Sequence, residues 1–165
     1  MMRRLAFVLS LLALSACGLR PLYGGGSGGV VATTLDTVTV SPIAGQAGWL
    51  MRNKLVDRLG KGGTSTAAYR LDVTLDDNIT AFGVRSDQAA TQERRTLRAR
   101  FQLVELKNGM VVLDDTAGSD AGIDIVSSEY ATVAAEQTAL ENLSDVVADQ
   151  ITARVALFAS RTKAK

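Results

Sequence analysis

After Gly122 the chain contains neither glycine nor proline, and that absence constrains the fold more than any other feature. Gly and Pro are the residues that interrupt helices. From about Ser128 to Ala159 the residues Val133, Leu140, Leu143, Val147, Ile151 and Phe158 fall on about one face at 100° per residue. Ser127 or Ser128 supplies an N-cap, Glu129 and Glu136 lie near the positive end of the dipole, and Arg154, Arg161 and Lys163 lie near the negative end. At 1.5 Å per residue this predicts a helix of almost 50 Å. Its apolar face needs a partner layer.

Period-two patterns supply that layer. Tyr69, Leu71, Val73 and Leu75 alternate with Arg70, Asp72, Thr74 and Asp76, and Leu97, Ala99, Phe101 and Leu103 alternate with Thr96, Arg98, Arg100 and Gln102. The second pattern slips at Val104, which predicts a bulge. Lys107-Asn108-Gly109 then reads as a hairpin turn, with Met110 to Leu113 returning. Thr34 to Val40 is a further strand, stopped by Pro42. Between Asp76 and Arg95 the polar connection shows no clear pattern, and the structure of residues 77–94 stays open. A second helix is expected from about Ala47 to Leu59, with Trp49, Met51, Leu55, Val56 and Leu59 inward and Gly60 as its stop. Leu50 points away from that face.

The expected fold is therefore α+β, with two helices packed on one face of a four-stranded, mainly antiparallel sheet in the order β-α-β-β-β-α. The opposite sheet face is polar and uncovered.

The N-terminus addresses location. Arg3 and Arg4 precede the apolar run Leu5 to Leu14, about half the length needed to span a bilayer. This is the layout of a secretory signal, residues 1–16. Leu14-Ser15-Ala16-Cys17 resembles the lipobox of bacterial lipoproteins, in which the thiol carries diacylglycerol and, after cleavage, an N-acyl chain. Cys17 is thus the expected lipidation site, and three acyl chains hold a protein on a membrane far more firmly than one. Gly18 stands where such lipoproteins carry an inner-membrane retention aspartate, so the outer membrane, periplasmic side, is the expected location. Residues 17–30, with Gly24 to Gly29 reading GGGSGG, form a lipidated flexible tether of roughly 20 Å. Residues 31–165 form one domain.

Chemistry is narrowly bounded. The chain has no histidine and one cysteine, which excludes His/Cys zinc sites and any nucleophile–histidine arrangement. Without Arg3 and Arg4, 16 of the 18 basic side chains face 17 acidic ones, so no global field attracts nucleic acid. Asp76-Asp77-Asn78 lacks the glycine and distal glutamate of an EF-hand and reads as a polar turn, and Asp114-Asp115 reads as a strand end. No enzyme, metal or cofactor is expected beyond the covalent lipid. Arg94, Arg98 and Arg100 share the open sheet face, with Arg95 near the strand's start. They can grip phosphates bidentately, or pair with Asp72 and Asp76 on the neighbouring strand. On the long helix Glu141, Asp145 and Asp149 make an acidic row, either solvated or turned to a basic partner.

Cys17-Gly18-Leu19-Arg20-Pro21-Leu22-Tyr23-Gly24 resembles the CGFRPLYG start of a branch of the LptE family of lipopolysaccharide-assembly lipoproteins, with Leu19 in place of the common Phe. Trp49 to Gly60, WLMRNKLVDRLG, is similar to the family's first-helix pattern LRNxLxDRL. The strand from Tyr69, the run RRTLRARFQLVELKNGMVV and the Ala-rich last helix occur in the family's order. The resemblance implies two helices on a four-stranded sheet and a plug inside the outer-membrane β-barrel LptD, which assists barrel assembly and lipopolysaccharide delivery to the outer leaflet. It further implies docking of Arg20, Pro21, Leu22 and Tyr23 at the barrel rim, with Leu50 as another contact. Arg94, Arg98 and Arg100 would then meet lipid A phosphates or acidic lumen residues. An auxiliary or pilot lipoprotein of another outer-membrane lipid-transport or pore complex is the competing reading.

Overall fold

Two long strands set the dimensions of the molecule. The computed structural model describes residues 29–60, 66–84, 90–126 and 128–162. Its elements are α1 (Val30–Leu35), β1 (Val38–Val40), α2 (Gly45–Arg58), β2 (Tyr69–Val84), β3 (Ala90–Glu105), β4 (Met110–Asp124) and α3 (Glu129–Thr162). The sheet order is β1-β2-β3-β4. β1 pairs parallel to β2, and the other two pairings are antiparallel. The fold is the expected α+β sandwich with one additional short helix.

Sixteen residues in β2 and in β3 give roughly 50 Å of strand at 3.3 Å per residue. The 34 residues of α3 give a similar length at 1.5 Å per residue. Helix and hairpin therefore run alongside each other from end to end. The core lies between them: Leu71, Leu97, Phe101 and Leu103 from the sheet, Met51, Leu55 and Leu59 around α2, and Val147, Ile151 and Val155 of α3 are all fully buried. Truncating such a leucine to alanine costs about 2–5 kcal/mol.

The predicted slip is present, with Leu103 opposite Leu113 but Val104 opposite Val111. The predicted turn is also present. Gly109 adopts φ +71°, its N–H donates to Glu105 O at 2.9 Å, and Asn108 Oδ1 accepts from Met110 N at 2.9 Å.

Several expectations need correction. Residues 77–94 do not form a polar connection; most of them continue β2 and β3, so Asp76-Asp77-Asn78 lies in a strand rather than a turn. Asp114 and Asp115 likewise lie inside β4, which runs on to Asp124. The strand expected from Thr34 shrinks to Val38–Val40, because Thr34 belongs to α1. There Val31 and Leu35, one turn apart, are buried in the core, and that burial outweighs the strand preference of β-branched residues. Leu50 does not face away from the core but packs at its margin. Trp49, expected inward, is 65% exposed.

The acidic row of the long helix is neither free nor turned to a partner. α2 and α3 lie side by side, and three of their side-chain contacts share a sequence offset of 91: Gln46 to Gln137 at 3.2 Å, Lys54 to Asp145 at 2.6 Å and Arg58 to Asp149 at 2.6 Å. A shared offset means parallel helices. Arg58 also donates to Asp145 at 3.0 Å, while Glu141 accepts from Gln137.

The hydrogen bond from Lys54 holds the Asp145 carboxyl below its usual range against the opposing effect of burial, with Arg58 assisting. A carboxyl whose folded pKa lies below its unfolded value, 3.8 here, contributes stability that is complete above that value and is lost as pH falls through the folded one. Asp145→Asn should lower unfolding free energy at pH 7 by about 0.5–1 kcal/mol after solvent screening. Denaturant titrations should show that difference vanishing towards pH 2.

Candidate functional site

Alternation divides the charged residues of the sheet between two different environments. On β3, Arg94, Arg98 and Arg100 take the open face and Arg95 takes the face covered by helices, because successive strand side chains point to opposite sides. Each of the four arginines has a different surrounding.

Arg100 donates to Asp114 of β4 at 2.9 and 3.2 Å, and Gln102 donates to the same carboxylate at 2.8 Å. These contacts, Arg100 first, hold the Asp114 pKa below the usual range. The expected partners on β2 are not used. Asp72 instead pairs with Arg70 at 3.0 Å and accepts from Ser41 at 2.5 Å, and Asp76, although opposite Arg98 in register, forms no ion pair among the described residues. Arg94 stacks on the Phe82 ring at 5.3 Å, a cation–π contact.

Arg98 has no hydrogen bond or ion pair among the described residues. Its side chain lies across β4 at Gly118, where a Cβ would come within 2.5 Å of Arg98 Cδ and 2.6 Å of Nη1. A side chain at this position would have to displace Arg98. Beyond Gly118 is the outer edge of β4, and α3 covers it. Gln150 bonds both backbone groups of Gly118, accepting from N–H at 3.1 Å and donating to the carbonyl at 3.3 Å. Arg154 donates to the Thr116 carbonyl and pairs with Asp115 at 2.6 Å. Side chains that occupy a strand's outward backbone groups block pairing with another chain.

These residues line an open groove of about 550 Å³ running from the sheet face round the β4 edge, with Asp76, Arg98, Arg100, Gly118, Gln150 and Arg154 in its wall. Arg154 and Gln150 were not legible as site residues. Arg154 reads in sequence as a charge near the helix end, and only the packing of α3 along β4 brings it to Arg98 and Arg100. A groove in which the Arg98 guanidinium has no ion pair or hydrogen bond among the described residues is suited to holding an anion. Among the described residues no group of three His, Cys, Asp or Glu side chains is placed to hold a metal.

Arg95 belongs elsewhere. On the covered face it pairs with Asp77 at 2.5 and 2.8 Å and donates to the Glu136 carbonyl of α3 at 2.9 Å. Glu93 lies beside it with Oε2 buried and without a hydrogen bond. Cys17, Arg20, Pro21, Leu22 and Tyr23 lie outside the described residues, as do the predicted signal and nearly all of the 17–30 tether.

The fold defines the class: an α+β sandwich of the kind found in bacterial lipoproteins. A candidate lipoprotein from Caulobacter crescentus CB15 matches with TM-score 0.67 and 26% identity, over 82% of this chain and 98% of that one. The rare lipoprotein B from Shewanella oneidensis (TM-score 0.53, 9% identity, 77% and 96% covered) and a minor lipoprotein from Acinetobacter baumannii (0.55, 13%, 74% and 92%) share the fold. No match was found among curated proteins. The family model for LptE, lipopolysaccharide-assembly, matches residues 35–155, and the chain belongs to that family. Its role is in lipopolysaccharide assembly.

Burial, followed by the neighbouring Glu136 carboxylate, pushes the Glu93 pKa up from its usual value. The folded state therefore holds protons more tightly than the unfolded chain, so stability falls as pH rises through the folded pKa. Glu93→Gln should raise the urea midpoint at pH 7.5, with the gain shrinking as pH falls to about 4, near the unfolded value.

Proposed function

We propose that this chain is a non-enzymatic outer-membrane lipoprotein, acylated at Cys17 and held on the periplasmic side, that seats within an LptD-type β-barrel. There it assists barrel assembly and lipopolysaccharide insertion into the outer leaflet. The observation that carries this reading is the uncovered sheet face: a polar surface on which Arg98 has no ion pair or hydrogen bond among the described residues, while neighbouring Arg100 and Arg154 are paired with Asp114 and Asp115.

Barrel lumens are polar, and a plug fits one by complementary charge rather than by a dry apolar patch. Arg94, Arg98 and Arg100 are the residues assigned to lipid A phosphates or to acidic lumen groups, with Arg154 extending the same groove. Arg20 to Tyr23 would dock at the rim. Leu50 is not retained as a contact, since it packs against the chain's own core.

Affinity capture of the detergent-solubilised protein should bring down a large β-barrel protein. Arg98→Glu with Arg100→Glu should reduce barrel recovery or bound lipopolysaccharide by on the order of ten-fold, the scale of one lost charge-assisted contact. Gly118→Val, which removes no charge but occupies the space of Arg98, should weaken the same readout less. Unchanged barrel and lipopolysaccharide recovery in the double variant would remove the groove from this role.

A further inference from the structure

Both ends of the molecule expose apolar side chains, and they differ in how near they lie to the predicted lipid. The chain enters the domain at one end of the sheet. There the Thr37 carbonyl accepts from Ala68 N at 2.9 Å, and the Ala68 carbonyl accepts from Leu106 N at 2.9 Å. The entry to β1, the start of β2 and the β3–β4 turn therefore share one rim. The last turn of α3 joins them, with Phe158 edge-on to Tyr69 at 6.0 Å and Thr162 beside Thr33 and Thr34.

On this rim Leu106, Met110 and Val111 are 42%, 61% and 49% exposed. They flank a turn that carries Lys107, and Arg161 is exposed in the closing turn of α3. Glu105, at the base of the turn, accepts from the Asn108 amide at 2.6 Å, and Asp36 adjoins Thr37 at the entry. Arg70 at the same end is committed to Asp72.

We propose that this rim is a membrane-contacting lip, with Leu106, Met110 and Val111 entering the interface of an anionic leaflet and Lys107 and Arg161 facing its headgroups. Apolar side chains bordered by basic ones are the composition that interfacial segments use. The occupant is a lipid surface because of reach. A segment with the composition of residues 18–29 has a root-mean-square span of about 20 Å, against a sheet of roughly 50 Å. At that mean span the entry end, where the tether joins, is the end held nearest a bilayer that carries Cys17. The exposed Tyr130 and Val133 stand at the opposite end of α3. The inference rests on the reading of Cys17 as the lipid-bearing residue.

The test uses the mature acylated chain in vesicles of phosphatidylethanolamine and phosphatidylglycerol, with a single added cysteine, from Met110→Cys or Val133→Cys, carrying an environment-sensitive fluorophore. Both positions are exposed, so labelling leaves the core intact. The expected result is a blue-shifted emission at position 110, with quenching by spin-labelled lipid several-fold greater there than at position 133. Leu106→Ser with Val111→Ser should abolish the difference. Vesicle co-flotation reads the anchor separately. Failure to float defeats the lipidation reading and the lip with it, whereas flotation with equal quenching at the two positions overturns the lip alone. Shielding of position 110 that appears only on adding a barrel protein also overturns it, in favour of a protein contact.

Discussion

The packing of one long helix along one long hairpin determines the rest of the structure. α3 and the β2–β3 hairpin each extend roughly 50 Å, and the fully buried residues Phe101, Val147, Ile151 and Val155 are supplied by both sides of their contact. Because α3 covers one sheet face and then turns its Gln150 and Arg154 to the β4 edge, it closes the interior and the edge with a single element. Among the described residues no second helix layer covers the far face. The polar exposure of Arg94, Arg98 and Arg100 is therefore a consequence of topology, not a local irregularity.

How much of this could be read in the sequence depended on whether a residue's neighbours were apolar. Tyr69 to Leu75 and Leu97 to Leu103 alternate because helix side chains bury one face there. Beyond Asp77 and Arg95 the strands continue, but the covered face is occupied by an ion pair and the Glu136 carbonyl rather than by leucines, so the alternation disappears while the ladder does not. Hydrophobic period reports burial and only indirectly reports strand. The same reasoning explains the end of α1, where Thr34 reads as the start of a strand until the burial of Val31 and Leu35 is known. Trp49 and Leu50 exchanged their expected environments because the axial placement of α2 against α3 is fixed by cross-helix pairs such as Lys54–Asp145, which a single-helix projection does not contain.

The arginines show a finer limit. Residue type and parity were enough to place Arg98 and Arg100 on the open face. Their partners were not legible, because cross-strand register decides them: Arg100 reaches diagonally to Asp114 across β4, while the acids of β2 are taken by Arg70 or left alone. The environment of Arg98 depends on a glycine twenty residues later, and nothing local to Gly118 distinguishes it in sequence from a turn glycine. Only the pairing of Arg98 with Gly118 gives that missing Cβ a meaning.

The pairing of most surrounding charges within the chain makes the Arg98 guanidinium informative, since it has no ion pair or hydrogen bond among the described residues. Asp145 and Asp149 are satisfied by α2, Asp77 by Arg95, Asp114 by Arg100 and Asp115 by Arg154. A surface whose charges are largely paired within the chain contributes little net attraction to a partner. Specificity in such a surface concentrates where pairing fails, and among the described residues of the open sheet face Arg98 has neither an ion pair nor a hydrogen bond, while Arg94 has only the Phe82 ring; Arg98 lies in the groove against Gly118. An anionic group docking there would gain a charge-assisted contact without first breaking an existing pair, whereas the same group at Arg100 would have to displace Asp114.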